Sequence, residues 1–324
     1  MLLEEKVEIR TKELKESNTL LQERQDEIMQ QSEELQQQAE ELMAQRDALT
    51  TQNKKISEQN NHITASVRYA QTLQKAILPS LEPIEKHLEC FTIYQPKDIV
   101  SGDFYWYANL NGDDANQGER PDRYILSVID CTGHGVPGAF MTLIADRLMY
   151  EAAIEHQIQD PAEILEELDR GIQVILKQNV STNRDGMDLV VCLFEHQNDQ
   201  SVTITFAGSK NPLFYYEKAS QQIIKVEADR RYIGMISTKS QQSKFTNKTI
   251  HLKKGDVVFL CTDGYIDQSN DERKRLGSKL FMQYLLEFAD LPVDQLKSEL
   301  ENKLKEWQGE QMQRDDISLI GIRI

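Results

Sequence analysis

The sequence predicts an α+β domain of largely antiparallel pairing, preceded by a long coiled-coil helix. Three observations carry that prediction. Apolar residues recur every seven positions through the first quarter of the chain. The pattern changes after Pro79 to short strand-like runs, and those runs outnumber the helical stretches that follow.

The column comprises Val7, Leu14, Leu21, Ile28, Leu35, Leu42, Leu49, Ile56 and Ile63, with Ala70 and Ile77 extending it. A strict seven-residue repeat on a 3.6-residue helix drives a left-handed supercoil, so residues 1–78 read as a coiled-coil segment. Such a rod is on the order of 110 Å long, and Pro79 ends it because proline cannot continue a helix. The second column, four residues on, is mostly polar: Asn18, Gln25, Ser32, Ala39, Arg46, Asn53, Asn60 and Val67. Polar seam residues fix register at a cost in stability, which describes a weak, adjustable coil. No Gly or Pro turn interrupts the segment, so a parallel homodimer is expected over an intrachain hairpin.

Residues 79–324 form the expected globular domain. Its strand-like runs are "CFTIYQP", "DFYWYANL", "RYILSVID", "DLVVCLFEH", "SVTITFAG", "LFYYE", "QIIKVE", "KTIHL", "DVVFLCT" and "DISLIGIRI". Helical patterns cover Gly138 to His156, Pro161 to Asn179, Leu276 to Ala289 and Val293 to Trp307. Most strands neighbour another strand across a short turn, which argues against a β-α-β array. Residues 111–122, "NGDDANQGERPD", read as a polar hairpin loop.

Composition narrows the function. The formal charge is −16, with 53 acidic against 37 basic residues and no basic cluster, so a nucleic-acid partner would be repelled. Cys90, Cys131, Cys192 and Cys261 are scattered without metal-ligand spacing, a pattern suited to a reducing, cytoplasmic compartment. No stretch approaches the roughly 18 apolar residues of a membrane span. The chain starts abruptly in helical pattern, which leaves room for an upstream sensor or membrane anchor.

Gly133, Gly135 and Gly138 spell G-x-G-x-x-G after a strand, the setting of a dinucleotide fingerprint. That reading requires a second parallel strand ending in an acid about 20 positions on. Glu151 and Glu155, at that distance, still lie on the helix, and Asp130 stands where a pyrophosphate would approach. The glycines therefore serve the acid in front of them. Asp103, Asp130, Asp263 and the pair Asp315–Asp316 each abut a buried-looking strand. One such acid is ordinary turn chemistry. Several converging on one cleft would repel one another unless cations occupied it. Aspartates alone suit hard ions, Mg²⁺ or Mn²⁺, and not zinc.

Five motifs in order, "PKDIVSGDFYW", "DCTGHGVPGAF", "FAGSKNPLFYY", "FLCTDGYID" and "RDDISLI", resemble the SpoIIE/RsbU-type branch of the PPM (PP2C-like) protein phosphatases over residues 85–324. The resemblance implies a β-sandwich flanked by helices, two Mn²⁺ or Mg²⁺ ions with a weak third in some relatives, and hydrolysis of phosphoserine or phosphothreonine. It implies a phosphoprotein substrate of the STAS-domain anti-sigma-factor antagonist type. Carried over by position, Asp130 bridges both ions and Cys131 lends its backbone carbonyl. Asp103 serves the second ion, Asp263 and Asp315 the first, Asp316 is a neighbour, and Asp267 matches the third-ion position. Two ions activating water remove the need for a side-chain nucleophile.

Other residues have plainer readings. His134, between two glycines at a helix entry, is structural, and Asp188 starts a strand. Trp106, Tyr105 and Tyr107 are core and edge residues. Lys97, near Asp103, is the candidate contact for a substrate phosphate. A phosphatase-like scaffold that binds without hydrolysis would be marked by a lost metal ligand, and none of the four matched acids is lost. A two-metal nuclease would need a basic surface.

Overall fold

Every residue of the heptad column from Val7 to Ile63 lies on one helix, α1 (Leu2–Ile77), and each is exposed along the single chain. The structure, a computed structural model, describes residues 2–110, 122–197, 201–234 and 243–324. The polar loop read at residues 111–122 lies, apart from Asp122, outside the described residues. The chain divides into two compact units, Met1–Ala65 and Ser66–Ile324, so the last turns of α1 pack as part of the second unit.

In that unit all ten expected strands form: β1 (Glu89–Gln95), β2 (Asp103–Asn109), β3 (Arg123–Cys131), β4 (Met187–His196), β5 (Val202–Ser209), β6 (Leu213–Glu217), β7 (Gln222–Val226), β8 (Lys248–Leu252), β9 (Val257–Cys261) and β10 (Ile317–Arg323). They build two sheets, β1-β10-β9-β6-β7 and β2-β3-β4-β5-β8, and every ladder is antiparallel.

Side-chain alternation explains why the runs look continuously apolar. On β3, Leu126 and Val128 face the opposite sheet, where they meet Val258, Leu260 and Ile320. Ile125 and Ile129 face outward, under helices α3 (Gly135–Tyr150) and α4 (Pro161–Ile175). The other sheet is covered by α6 (Gly277–Phe288) and α7 (Val293–Gln308), through Phe281, Leu285, Leu296 and Leu300. Central strands are therefore buried on both faces, and polar alternation is lost.

The helices differ from expectation at their ends. α3 starts at Gly135, ahead of Gly138, and passes into a π-helical turn at Glu151–Glu155. α4 is capped by the Asp160 side chain, which accepts from the Glu163 N–H, with Pro161 opening the first turn. It stops short of Asn179, and Lys177 just beyond its end has a left-handed φ of 50°. Two four-residue helices, α2 (Glu82–Glu85) and α5 (Gly264–Asp267), are too short to carry a periodic signal.

A buried ion pair fastens the segment after β7 to α4. Arg231, whose side chain is 10% exposed, donates to Glu166 at 2.7 Å and to Asp169 at 2.6 Å, and lies over the Phe245 ring. Asp169 also accepts from the Gly234 N–H at 2.9 Å. Removing one partner leaves buried charge unpaired, which costs about 3 kcal/mol or more. Arg231→Met is expected to lower unfolding stability by about that amount in urea titrations. Because both changes empty the same network, combining it with Asp169→Asn should cost less than the sum of the two.

Candidate functional site

At one end of the sandwich the residues facing its interior change from apolar to acidic. Val128 gives way to Asp130 on β3, Val190 to Asp188 on β4, and Tyr105 to Asp103 on β2. The register pairs Asp103 with Asp130 and Asp130 with Asp188, so three carboxylates stand in one row across three strands. The other sheet contributes Thr262 past Leu260, and Ser318 and Asp316 before Ile320. Like charges directly opposite on a sheet are destabilising. This row was not designed for stability.

The electrostatics follow from that placement. Burial and the neighbouring acids hold Asp103 and Asp130 well above the usual carboxylate range. Asp130 feels Asp103, Asp263, Asp188 and Asp315, so the acids at separate strand ends share one field. Burial also raises Asp263, with Asp267 and Asp315 adding to it, while Arg275 and Lys210 oppose. Asp316 is raised by burial, although N–H donors on Lys97 and Gly102 offset part of the shift. Asp188 is pushed up to about 6 by burial, against the pull of Lys210.

Hydrogen bonds hold the acids in place. The Thr262 hydroxyl donates to Asp103 Oδ2 at 2.6 Å, and the Ser318 N–H donates to that hydroxyl at 3.0 Å. The N–H of Lys97 donates to Asp316 Oδ1 at 2.7 Å, and that of Gly102 to Oδ2 at 2.6 Å. Asp316 is thus engaged from both oxygens. Lys97 meets the acid cluster through this backbone donor. Asp267 Oδ2 is paired with Arg275 at 2.7 Å and adjoins Asp263 from the next turn. Cys131 is buried, with its N–H donating to the Gly102 carbonyl at 3.1 Å. His134 stands apart at the start of α3, its Nδ1 2.8 Å from Asp98 Oδ2.

The glycines serve backbone contact. A Cβ on Gly138 would lie 2.2 Å from the Gly133 carbonyl and 2.8 Å from Gly102 Cα, so the turn after Asp130 packs directly on the loop before Asp103. A Cβ on Gly264 would lie 1.9 Å from the Asp316 carbonyl, so the glycine lets α5 seat against β10.

One residue escaped the sequence reading. Lys210, in the β5–β6 turn with a left-handed φ of 56°, reaches Asp188 at 3.4 Å and lies 3.3 Å from the Tyr232 ring centroid. It lines a cleft with Asp188, Asn211, Thr262, Asp263 and Ser278. No local sequence signal marks it, since its left-handed backbone and its partner across the cleft appear only in the fold.

Divalent ions are the group such an acid cluster would take. Among the described residues, no three or more His, Cys, Asp and Glu side chains stand close enough to close round one ion. The acids share a field rather than a coordination shell. The donor chemistry nevertheless fits Mg²⁺ or Mn²⁺, which bind through one or two carboxylates and keep several waters.

Residues 120–324 match the family described as Stage II sporulation protein E (SpoIIE). The chain is 25% identical over 267 residues to the phosphoserine phosphatase RsbU of Bacillus subtilis, covering 81% of this chain and 70% of that protein. It is similar to the SiaA-PP2C domain of Pseudomonas aeruginosa at 30% identity and TM-score 0.69, over 82% of this chain and 98% of that one. The PP2C phosphatase domain of SpoIIE from Bacillus subtilis, with a fragment of its regulatory domain, shares the fold at TM-score 0.54 and 17% identity, over 74% and 63% of the two chains.

The raised acid pKa values set a pH dependence. An acid whose folded pKa exceeds its unfolded value weakens the fold as pH rises between the two. For Asp188 that window runs from 3.8 to about 6, and the loss persists above it. In EDTA, Asp188→Asn should raise the thermal midpoint at pH 7.5 by on the order of 5 °C, and much less at pH 4. A lower midpoint than wild type at pH 7.5, in differential scanning calorimetry, would refute the assigned burden.

Proposed function

The chain belongs to the SpoIIE family, and from that membership we propose that it is a Mn²⁺- or Mg²⁺-dependent phosphatase acting on phosphoserine or phosphothreonine in a protein. The observation that carries this reading is the row of Asp103, Asp130 and Asp188 across three strands, closed from the other sheet by Asp263 and the Asp315–Asp316 pair. Uncompensated, that row repels a phosphate ester. Its use therefore depends on cations.

In this proposal Asp130, with the Cys131 carbonyl beside it, would hold both ions. Asp103 would serve one ion, and Asp263 and Asp315 the other, partly through bound water, while Asp316 orders the loop between Lys97 and Gly102. Asp267 is a candidate for a weak third ion, although its pairing with Arg275 competes. When bound, such ions supply Lewis-acid stabilisation of the phosphoryl oxygens and lower the pKa of water. Thr262 keeps Asp103 oriented by its 2.6 Å hydrogen bond, and Lys210 offers the cleft a cation for the substrate's anionic group. Lys97 is kept as a candidate phosphate contact on its place in the loop before Asp103, and its backbone N–H is already engaged by Asp316.

The substrate class proposed is a STAS-domain anti-sigma-factor antagonist, because the RsbU-type relative is named a phosphoserine phosphatase and the resemblance is to that branch. The exposed column on α1 supports a parallel homodimer through the coil, and the polar second column supports regulation by its helical phase. A cytoplasmic location fits the free cysteines. No helix among the described residues is long and apolar enough to cross a membrane.

Two measurements test this. With Mn²⁺ present, Asp130→Asn should lower turnover of p-nitrophenyl phosphate by more than about a hundredfold. Its thermal midpoint in EDTA should not fall, since one like charge has been removed; near wild-type turnover would sink the assignment. For the coil, a four-residue insertion between Ile56 and Ile63 should change activity far more than a seven-residue one, because only the former shifts the column around the helix. Both variants must sediment as dimers. Equal activities would leave the coil a tether.

A further inference from the structure

The polar column of α1 runs at seven-residue intervals through Asn53, Asn60 and Val67, and its next member is Gln74. Gln74 is buried, 5% exposed, and is the only buried residue of α1 among those described. Long amide side chains are seldom buried unless their donors and acceptor are used.

Here they are used on one neighbour. The Ser101 N–H donates to Gln74 Oε1 at 3.0 Å, and Gln74 Nε2 donates back to the Ser101 carbonyl at 2.6 Å. The second Nε2 contact is to Thr142 Oγ1 on α3, at 3.1 Å. The amide thus pairs with the Ser101 backbone as a neighbouring strand would, at a residue that is fully buried and precedes β2. Two acids hang on that segment. The Ser101 hydroxyl accepts from the Asp103 N–H at 3.0 Å, and the adjacent Gly102 N–H holds Asp316 Oδ2 at 2.6 Å.

We propose that Gln74 is a positioning residue for the acid cluster: from the last turn of α1 it sets the Ser101–Asp103 segment, and through it Asp103 and Asp316. The inference rests on the reading of these acids as holders of divalent ions. Without the amide, the Ser101 backbone groups lose their partner and the segment is free to shift relative to the row on β3 and β4. A rotation of the helix about its own axis moves Gln74 and, with it, the segment.

The test uses the full chain and two variants. Gln74→Met keeps the volume but offers neither strong donor nor acceptor; Thr142→Val removes one of the three hydrogen bonds and leaves the Ser101 pair. Mn²⁺ binding is read from the electron paramagnetic resonance of free Mn²⁺, independently of turnover, and p-nitrophenyl phosphate kinetics are read alongside. Gln74→Met should weaken Mn²⁺ binding by on the order of tenfold, because only part of the loss of its three hydrogen bonds is passed on to the acids. Its kcat at saturating Mn²⁺ should stay within about twofold of wild type, and its KM should not move. Thr142→Val should weaken binding about twofold to threefold, and it decides the question if Gln74→Met does not fold. A destabilised Gln74→Met that binds Mn²⁺ like wild type would make Gln74 a packing peg and overturn the inference. So would unchanged binding in a folded Thr142→Val if Gln74→Met were insoluble. Wild-type protein that binds Mn²⁺ yet hydrolyses no phosphate ester would instead overturn the phosphatase reading, and leave Gln74 to be judged on binding alone.

Discussion

The structure turns on a repulsion. Asp103, Asp130 and Asp188 are placed side by side by the antiparallel register, and the strands that carry them are held in that register by two buried faces. Sliding β3 by one residue would relieve the charges but would turn Ile125 and Ile129 into the space filled by Leu126 and Val128. Burial of the apolar row therefore enforces the acidic row. The sandwich supplies the stability that the site consumes.

Around this row, the chain answers the repulsion with local devices. Thr262 and Ser318 form a relay of hydrogen bonds onto Asp103, and two backbone N–H groups embrace Asp316. Such donors favour the charged carboxylate and partly offset burial. Gly138 and Gly102 let the turn after β3 and the loop before β2 touch backbone to backbone, so the acids on adjacent strands are braced by their own connections. What appeared as a phosphate-binding glycine pattern is packing. The Arg231 network fastens the segment after β7 to α4 and adjoins the row itself, because the Ser209 hydroxyl reaches both the Arg231 carbonyl and Asp188, and the neighbouring Tyr232 ring receives Lys210.

Much of the fold was legible in the sequence because its signals are local. The ten strands, the four long helices of the globular domain and the break at Pro79 follow from periodicity and from residues with fixed backbone preferences. The missed elements have physical reasons. α2 and α5 are shorter than any repeat, and the early end of α4 depends on the left-handed backbone at Lys177. His134 and Asp188 show the two ways a plain reading can end. His134 stays outside the acid cluster, bonded to Asp98, whereas Asp188 starts a strand as expected and also stands in the acidic row.

The sequence by itself determined the alternation of faces, the heptad column and the positions of the acids at strand ends, because each depends on spacing along the chain. Only the tertiary structure decided which acids face one another, since register relates residues far apart in sequence. It also decided that Lys210 adjoins Asp188 and that Gln74, one polar residue among many on α1, is the one whose amide closes on Ser101. A buried amide and an exposed one are identical as letters. Their difference is the partner, and the partner comes from the fold.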